Sequence, residues 1–288
     1  MNQHSERNSD NRRIDAHMHV WDLDVGEYAW LGPQHGPIYR TFTPGQAKVE
    51  LDAAGLDGAV LVQAEDSARD TAYMLDVAAA NPWVLGVVGW IPLDDTDAAA
   101  NALDDLLSRP VFCGVRHLVH DDPRDDFLSL PAVRASAGLL ADQGVPLDVP
   151  NAWPRHLVAV AELAADLREL VVIVDHLAKP PLDGSDLTAW RSTLARVAEH
   201  ENTVSKFSGL GEPSANFTTD TIRGVWDAAL ELFGPSRLLY GGDWPMTVAY
   251  GGYQSTFHVM SELIGELSAS EQTELLSGTA QRVYHRMR

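Results

Sequence analysis

Eight short runs rich in Val, Ile and Leu punctuate the chain, at 13–20, 58–63, 84–91, 111–118, 145–149, 171–175, 203–208 and 238–242. Longer Ala-, Leu- and Glu-rich stretches separate them, with apolar residues at helical spacing; Leu157, Val160, Ala161, Ala164 and Leu167 form one such stripe. Pro44, Pro131 and Pro154 stand near expected helix starts, where a missing N–H costs little, and Gly55 and Gly144 stand just past expected helix ends. Ser268 with Glu271 reads as a capping box for a last helix ending near Tyr284. Successive strand ends lie about 26 to 43 residues apart, which suits a strand–loop–helix–loop unit. Eight such units predict an α/β chain closed into a single (β/α)8 TIM barrel. An open doubly wound sheet usually has fewer strands, and this chain has neither a GxGxxG after its first strand nor a Walker loop.

The 288 residues are long enough to bury a large core unaided, and no Pro-, Gly- or Ser-rich linker divides them. Residues 1–12 read as a polar tail and 13–288 as one domain. The 21 Lys and Arg against 41 Asp and Glu leave a net charge of -20, a field that repels phosphate backbones and anionic lipid. No nucleic acid or membrane partner is therefore expected. The single Cys113 excludes an intrachain disulfide and a Cys-rich zinc site, and its apolar surroundings predict a buried thiol. With no apolar stretch of signal or membrane length, the expectation is a cytoplasmic protein.

Active sites of such barrels sit at the C-terminal ends of the strands. Strand one ends in Asp15-Ala16-His17-Met18-His19-Val20-Trp21. Side chains alternate along a strand, so His17 and His19 face the same way, about 7 Å apart, and can share a metal ion or a substrate oxygen. Strand four ends in Arg116-His117, and a cation there suits an anionic or polarised substrate oxygen. The loop from His120 to Asp126 that follows reads as solvated. Strand five ends at Asp148, near Asn151. Strand six runs into Asp175-His176 and then Lys179-Pro180, and strand seven carries Lys206. Strand eight ends in Gly241-Gly242-Asp243-Trp244-Pro245, where two glycines let backbone crowd a ligand. His17, His19, His176 and Asp243 thus converge on one mouth, in outline a metal-assisted or acid–base hydrolytic site.

Read together and in order, the segments 15–22, 114–117, 174–180, 206–210 and 241–245 resemble the amidohydrolase superfamily, of the amidohydrolase-2 type. The resemblance covers nearly the whole chain after Arg13, and lies in the branch that holds L-fuconolactonase, L-rhamnonolactonase and 2-pyrone-4,6-dicarboxylate hydrolase. Two departures stand out: Gly242 where the family commonly has Ser, and Ala178 where it commonly has Gly.

The resemblance implies a hydrolase that opens a sugar-acid or related lactone to its hydroxy acid. It implies that Asp243 is the general base that activates water, and that His17, His19 and His176 polarise the carbonyl directly or through a divalent ion. Arg116 and His117 then orient the ring, while Lys206, Lys179, Trp90 and Trp244 line the pocket. One metal, zinc by preference, would be held by His17, His19, His176 and Asp243, although branch members also work without a metal. Strand five offers no His and strand four no lysine suited to carboxylation, which argues against a binuclear centre. The alternatives are a zinc-dependent decarboxylase of the same superfamily, which usually takes a His from strand five, and a catalytically silent ligand-binding barrel. The expected partner is a small-molecule lactone, and a homo-oligomer is compatible with the sequence.

Overall fold

The computed structural model describes residues 12–211 and 217–288; most of the tail expected at 1–12 lies outside them. Eight parallel strands pair in sequence order: β1 Ile14–Met18, β2 Gly58–Val62, β3 Val84–Gly89, β4 Phe112–Arg116, β5 Leu147–Val149, β6 Val172–Val174, β7 Thr203–Phe207 and β8 Leu238–Tyr240. A helix follows each strand: α1 Pro44–Ala54, α2 Ala68–Ala80, α3 Thr96–Leu107, α4 Pro131–Asp142, α5 Leu157–Asp166, α6 Thr188–Ala198, α7 Thr219–Phe233 and α8 Tyr253–Ile264. The (β/α)8 barrel read from the sequence is the architecture.

Local chemistry accounts for the helix boundaries. Thr43 caps α1 with Gln46 in a reciprocal capping box, Pro44 fills the first turn, and Gly55 ends the helix at φ 67, a conformation that favours glycine. The stripe Leu157, Val160, Ala161 and Ala164 is the buried face of α5, while Leu167 falls just beyond the helix. Pro154 stands before α5, in the turn that leads to it. The box at Ser268 and Glu271 opens α9, Ala269–Thr273, which continues through a wide turn into α10, Thr279–Val283.

Apolar burial separates into two clusters. The larger binds the helices to the outer faces of the strands. The smaller fills the lower barrel with Ile14, Ala16, Val60, Val62, Leu85, Val88, Cys113, Ile173, Val204 and Leu239, and α10 closes it from below with Ala280, Val283 and Tyr284. Cys113 is free and buried, as expected.

Every observed strand except β5 stops one or two residues short of its predicted end; at β1, β6 and β8 the backbone leaves the ladder where the polar residues begin. Between β8 and β1 the ladder reduces to a single bridge, Met18 to Trp244. Asp243 N–H donates to the His17 carbonyl at 2.8 Å and His19 N–H to the Trp244 carbonyl at 2.7 Å. The seam that closes the barrel thus places Asp243 beside both histidines.

Candidate active site

Strict alternation from Ile14 and Ala16, which point into the barrel, would send His17 outward. The β1–β2 register prevents this: Asp15 pairs with Ala59 but Met18 with Leu61, so β1 carries one extra residue. This bulge turns His17 and His19 inward and Met18 outward. The imidazoles meet edge to face, with Nε2 to Nε2 at 3.1 Å. His19 Nδ1 lies 2.7 Å from the Val62 carbonyl, which can only accept, so Nδ1 carries the proton and Nε2 presents a lone pair.

Asp15 ties the seam from beneath. Its carboxylate accepts from His17 N–H at 2.9 Å, Gly242 N–H at 2.9 Å and the Tyr253 hydroxyl at 2.7 Å. The Tyr253 ring fills the space over Gly242: a Cβ there would lie 2.1 Å from the ring and 2.5 Å from Asp15 Oδ2. The serine common in the family therefore has no room in this chain. Gly242→Ser is expected to lower the unfolding free energy by about 1–3 kcal/mol through overpacking. Urea denaturation checks this; an unchanged midpoint would mean that Tyr253 moves aside freely.

Asp243 follows at φ 51 and points its carboxylate at the histidines, with Oδ1 3.4 Å from His19 Nε2 and 3.8 Å from His17 Nε2. Burial pushes this carboxyl up, but His176, His19 and His17 outweigh it and hold it well below the usual carboxylate range. After β6 the chain makes a left-handed turn in which His176, Leu177, Ala178 and Lys179 all have φ between 50 and 63. Side chains resist this conformation by roughly 1–2 kcal/mol each, so the turn concentrates strain where His176 and Lys179 enter the pocket. Ala178 has the third of these positions, one that a glycine occupies without strain. His176 Nδ1 meets the Ser208 hydroxyl at 2.8 Å, and burial pushes His176 down to about 4.

Below the histidines lies a layer of buried charge. Arg116 reaches Asp175 at 3.2 Å, lies 3.4 Å from His17 Nε2, and also donates to the Gln63 carbonyl. Lys206 contacts Asp148 at 2.5 Å, Asp175 at 3.0 Å and His17 Nδ1 at 3.1 Å. The Tyr284 hydroxyl donates to Asp148 at 2.7 Å. Burial, followed by the Lys206 ammonium, pushes His17 well below its usual range and keeps it neutral.

Above this layer opens a pocket of about 290 Å³. Of the residues expected at the site, His19, Arg116, His176, Lys179 and Asp243 form its wall. Three of the four expected pocket-lining residues, Lys206, Trp90 and Trp244, are not among the lining residues, nor is His117, expected to orient the ring, and His17 lies beneath the wall. Lys206 has no exposed surface and serves the charged layer. Trp244 packs its ring on Phe42. His117 stacks on Phe127, takes the Trp90 indole N–H at Nδ1 and faces Asp66, so it and Trp90 clasp the loops behind the wall. Sequence reasoning missed Trp30 and His35 on the wall, carried by the long β1–α1 connection; Asn151, noted just past β5 but given no role, is on the wall as well. Loop length was the available signal for the first two. The loop after β4, read as solvated, also contributes His120 and Asp121, and Arg155 pins it through Asp125 and the carbonyls of His120 and Asp122.

The donors suit one divalent cation. His17 Nε2, His19 Nε2 and Asp243 Oδ1 are separated by 3.1, 3.4 and 3.8 Å. A tetrahedral zinc shell with bonds of about 2.0–2.1 Å has edges of about 3.3 Å. His176 instead groups with His17 and Asp175, so the four ligands expected from the sequence are split: His17, His19 and Asp243 form one trio, while His176 belongs to a second that shares His17 and brings in Asp175.

The chain is similar to known proteins in both sequence and fold. The family described as amidohydrolase matches residues 14–286. An L-fucono-1,5-lactonase of Burkholderia ambifaria is 33% identical over 84% of this chain and 83% of its own length. An L-fucono-1,5-lactonase of Burkholderia multivorans is 30% identical over 94% of this chain and 95% of its own. A solved amidohydrolase of Burkholderia multivorans, 28% identical, superposes with TM-scores of 0.86 with bound HEPES and 0.84 with bound zinc, covering 95% of this chain and 99% of that one in both.

Proposed function

The chain belongs to the amidohydrolase family, and on that premise we propose that it opens a sugar lactone to the free hydroxy acid. The observation that carries the reading is the Asp243 carboxylate, 3.4 Å from His19 Nε2 on the wall of the pocket and held by the neighbouring histidines below the usual carboxylate range. A carboxylate so placed can take a proton from a water while neighbouring imidazoles and a cation stabilise the oxyanion. The relatives named as lactonases supply the substrate class.

In this reading Asp243 accepts a proton from the attacking water as its oxygen bonds to the lactone carbonyl carbon. The tetrahedral oxyanion is stabilised by His176 and by the positive charge of Arg116 at the pocket wall. When the ring C–O bond breaks, Asp243 returns the proton to the departing alkoxide, and the product hydroxy acid ionises in solution. Lys179 and Asn151 hold the ring substituents. His17, His19 and Asp243 would hold a divalent metal, zinc by preference, which supplies Lewis acidity and a more acidic water when bound.

The partner is a small molecule. The charge of -20 disfavours nucleic acid and anionic membrane, and no described helix is long and apolar enough to cross a membrane. A cytoplasmic location, expected from the sequence, remains part of the proposal.

Acid release in a pH-indicator assay tests the reading, across a panel of sugar lactones, simple aliphatic lactones and aromatic carboxylic acids, before and after chelator treatment. Acid release from sugar lactones supports it, and the chelated sample assigns the role of the metal. Carbon dioxide from an aromatic acid, with all lactones silent, would replace the reading with a decarboxylase.

The pH profile carries a separate expectation. Asp243 must be ionised, and it is held below the usual carboxylate range; His176 is neutral down to about 4. As pH falls, activity survives until these low values are reached. After subtraction of spontaneous hydrolysis, kcat/KM should stay level within about twofold from pH 5 to 8. A histidine base of ordinary pKa would instead give an acid limb near 6.5, and such a limb would move the base away from Asp243.

A further inference from the structure

The catalytic pocket has a larger neighbour that the proposed chemistry does not use. A second cavity of about 740 Å³ lies among the β1–α1, β2–α2 and β4–α4 connections, with Glu27, Glu65, Asp66, Ser67, Ala68 and Arg69 in its wall. Among the described residues, Trp30, Leu118 and Asp121 line both spaces, so these three side chains form the boundary between them. The catalytic pocket, at about 290 Å³, stands at the lower end of the roughly 300–1,000 Å³ usual for small-molecule sites. What the boundary lets across therefore decides how large a substrate can be.

Trp30 is the bulky member of the boundary, and several groups hold it. Its indole N–H donates to the Ala64 carbonyl at 2.7 Å. The Trp21 ring meets it edge-on, with centroids 5.7 Å apart and planes at 90°, and the His35 ring lies 5.8 Å away. Trp21 has no exposed surface and donates its own indole N–H to the Arg40 carbonyl at 2.7 Å. Gly32 N–H donates to His35 Nδ1 at 3.0 Å. Tyr28 ties the same segment to the β2–α2 connection, through its N–H to Glu65 and its hydroxyl to Asp70 at 2.8 Å. Trp30 is thus a fixed partition, locked by packing and by hydrogen bonds behind it. Since its N–H is engaged, the ring offers the pocket an apolar surface, suited to the C–H face of one sugar ring.

On the premise of the lactonase reading, we infer that Trp30 is a specificity-determining residue. It confines the substrate to a single-ring lactone by closing the pocket against the second cavity. A glycosyl group carried toward that cavity would collide with an indole that Ala64, Trp21 and His35 keep in place. Leu118 is smaller and Asp121 is half exposed, so the indole is the larger part of the barrier. Beyond it stand carboxylates, a serine and an arginine, groups that hydrogen-bond sugar hydroxyls. Removing the indole therefore gives a second sugar ring both room and partners.

The test uses full-length protein with glucono-1,5-lactone and its O4- and O6-glucosylated forms, maltobiono- and isomaltobiono-1,5-lactone. Each is measured as a substrate, and as a competitor of whichever sugar lactone the protein turns over. In kcat/KM or Ki the single-ring lactone should be favoured by at least about 100-fold, since one misfitting methylene already costs about 10–200-fold in a shaped pocket. Trp30→Ala should weaken the single-ring lactone and move the ratio toward a glucosylated one by about tenfold or more, mainly through KM. Trp30→Phe, which keeps a ring but not the N–H, should keep the wild-type preference. Ala68 is exposed on the rim of the second cavity. Ala68→Trp should reverse the gain when added to Trp30→Ala, and alone should leave single-ring kinetics unchanged.

A wild type that takes a glucosylated lactone as readily as the single-ring one would overturn the inference and leave the lactonase reading standing. So would an unchanged ratio in Trp30→Ala, the mark of a merely structural residue. An equal shift in Trp30→Phe would also overturn it, by assigning the effect to the bond with Ala64. If Trp30→Ala does not fold, Trp30→Leu, which shortens the wall but keeps an apolar side chain, carries the same expectation. Failure of the wild type to turn over any sugar lactone would instead remove the lactonase reading, and this refinement with it.

Discussion

Asp243→Asn should lower kcat on a sugar lactone by about 10²–10⁴-fold, the range for loss of a positioned general base. The substitution keeps the shape of the side chain and leaves intact the backbone bond from residue 243 to the His17 carbonyl. Asparagine also tolerates the φ of 51 at this position at least as well as aspartate. The fold and the pocket wall therefore persist, and KM should move far less than kcat. What disappears is the capacity to take a proton from water, since an amide has no such basicity at neutral pH. Steady-state rates with a folded-state control by circular dichroism check this. A loss below about tenfold would mean that another group activates the water.

Arg116→Leu carries the largest expected effect on stability. The guanidinium is 4% exposed and meets a carboxylate that has no exposed surface at all, Asp175. Removing one member of a buried ion pair leaves the other charge uncompensated, a loss of about 3–5 kcal/mol. Asp175 would retain Lys206, but that ammonium is shared with Asp148 and His17. The Gln63 carbonyl would lose its guanidinium donor as well. Urea denaturation measures the loss, and the remaining folded protein should also have reduced kcat/KM, because Arg116 is on the pocket wall. A change under about 1 kcal/mol would show that the charged layer is not balanced through Arg116.

The sequence made the barrel legible because eight apolar runs alternate with longer stretches of helical pattern, and the polar residues follow the apolar runs. His17, His19, His176 and Asp243 could be found for the same reason: they stand where strands end. Other features depend on geometry that residue order does not encode. The bulge in β1 is visible only as a mismatch between Asp15–Ala59 and Met18–Leu61. The left-handed turn from His176 to Lys179 contains no glycine, the residue that normally announces such a conformation. Lys206 lies on β7 like a pocket residue, yet two carboxylates hold it below the floor. Trp30 and His35 come from a connection with no strand-end signature and reach the pocket by folding back over the barrel mouth.

The most direct test of the central claim follows the oxygen. A sugar 1,5-lactone is incubated with the enzyme in 18O-enriched water, and the product is analysed by mass spectrometry at early times, beside Asp243→Asn and an enzyme-free control. The account predicts rapid formation of the open hydroxy acid with a single solvent oxygen in its new carboxylate, at a rate well above both controls. Product formation no faster than in the control without enzyme, for every sugar lactone tried, would contradict it.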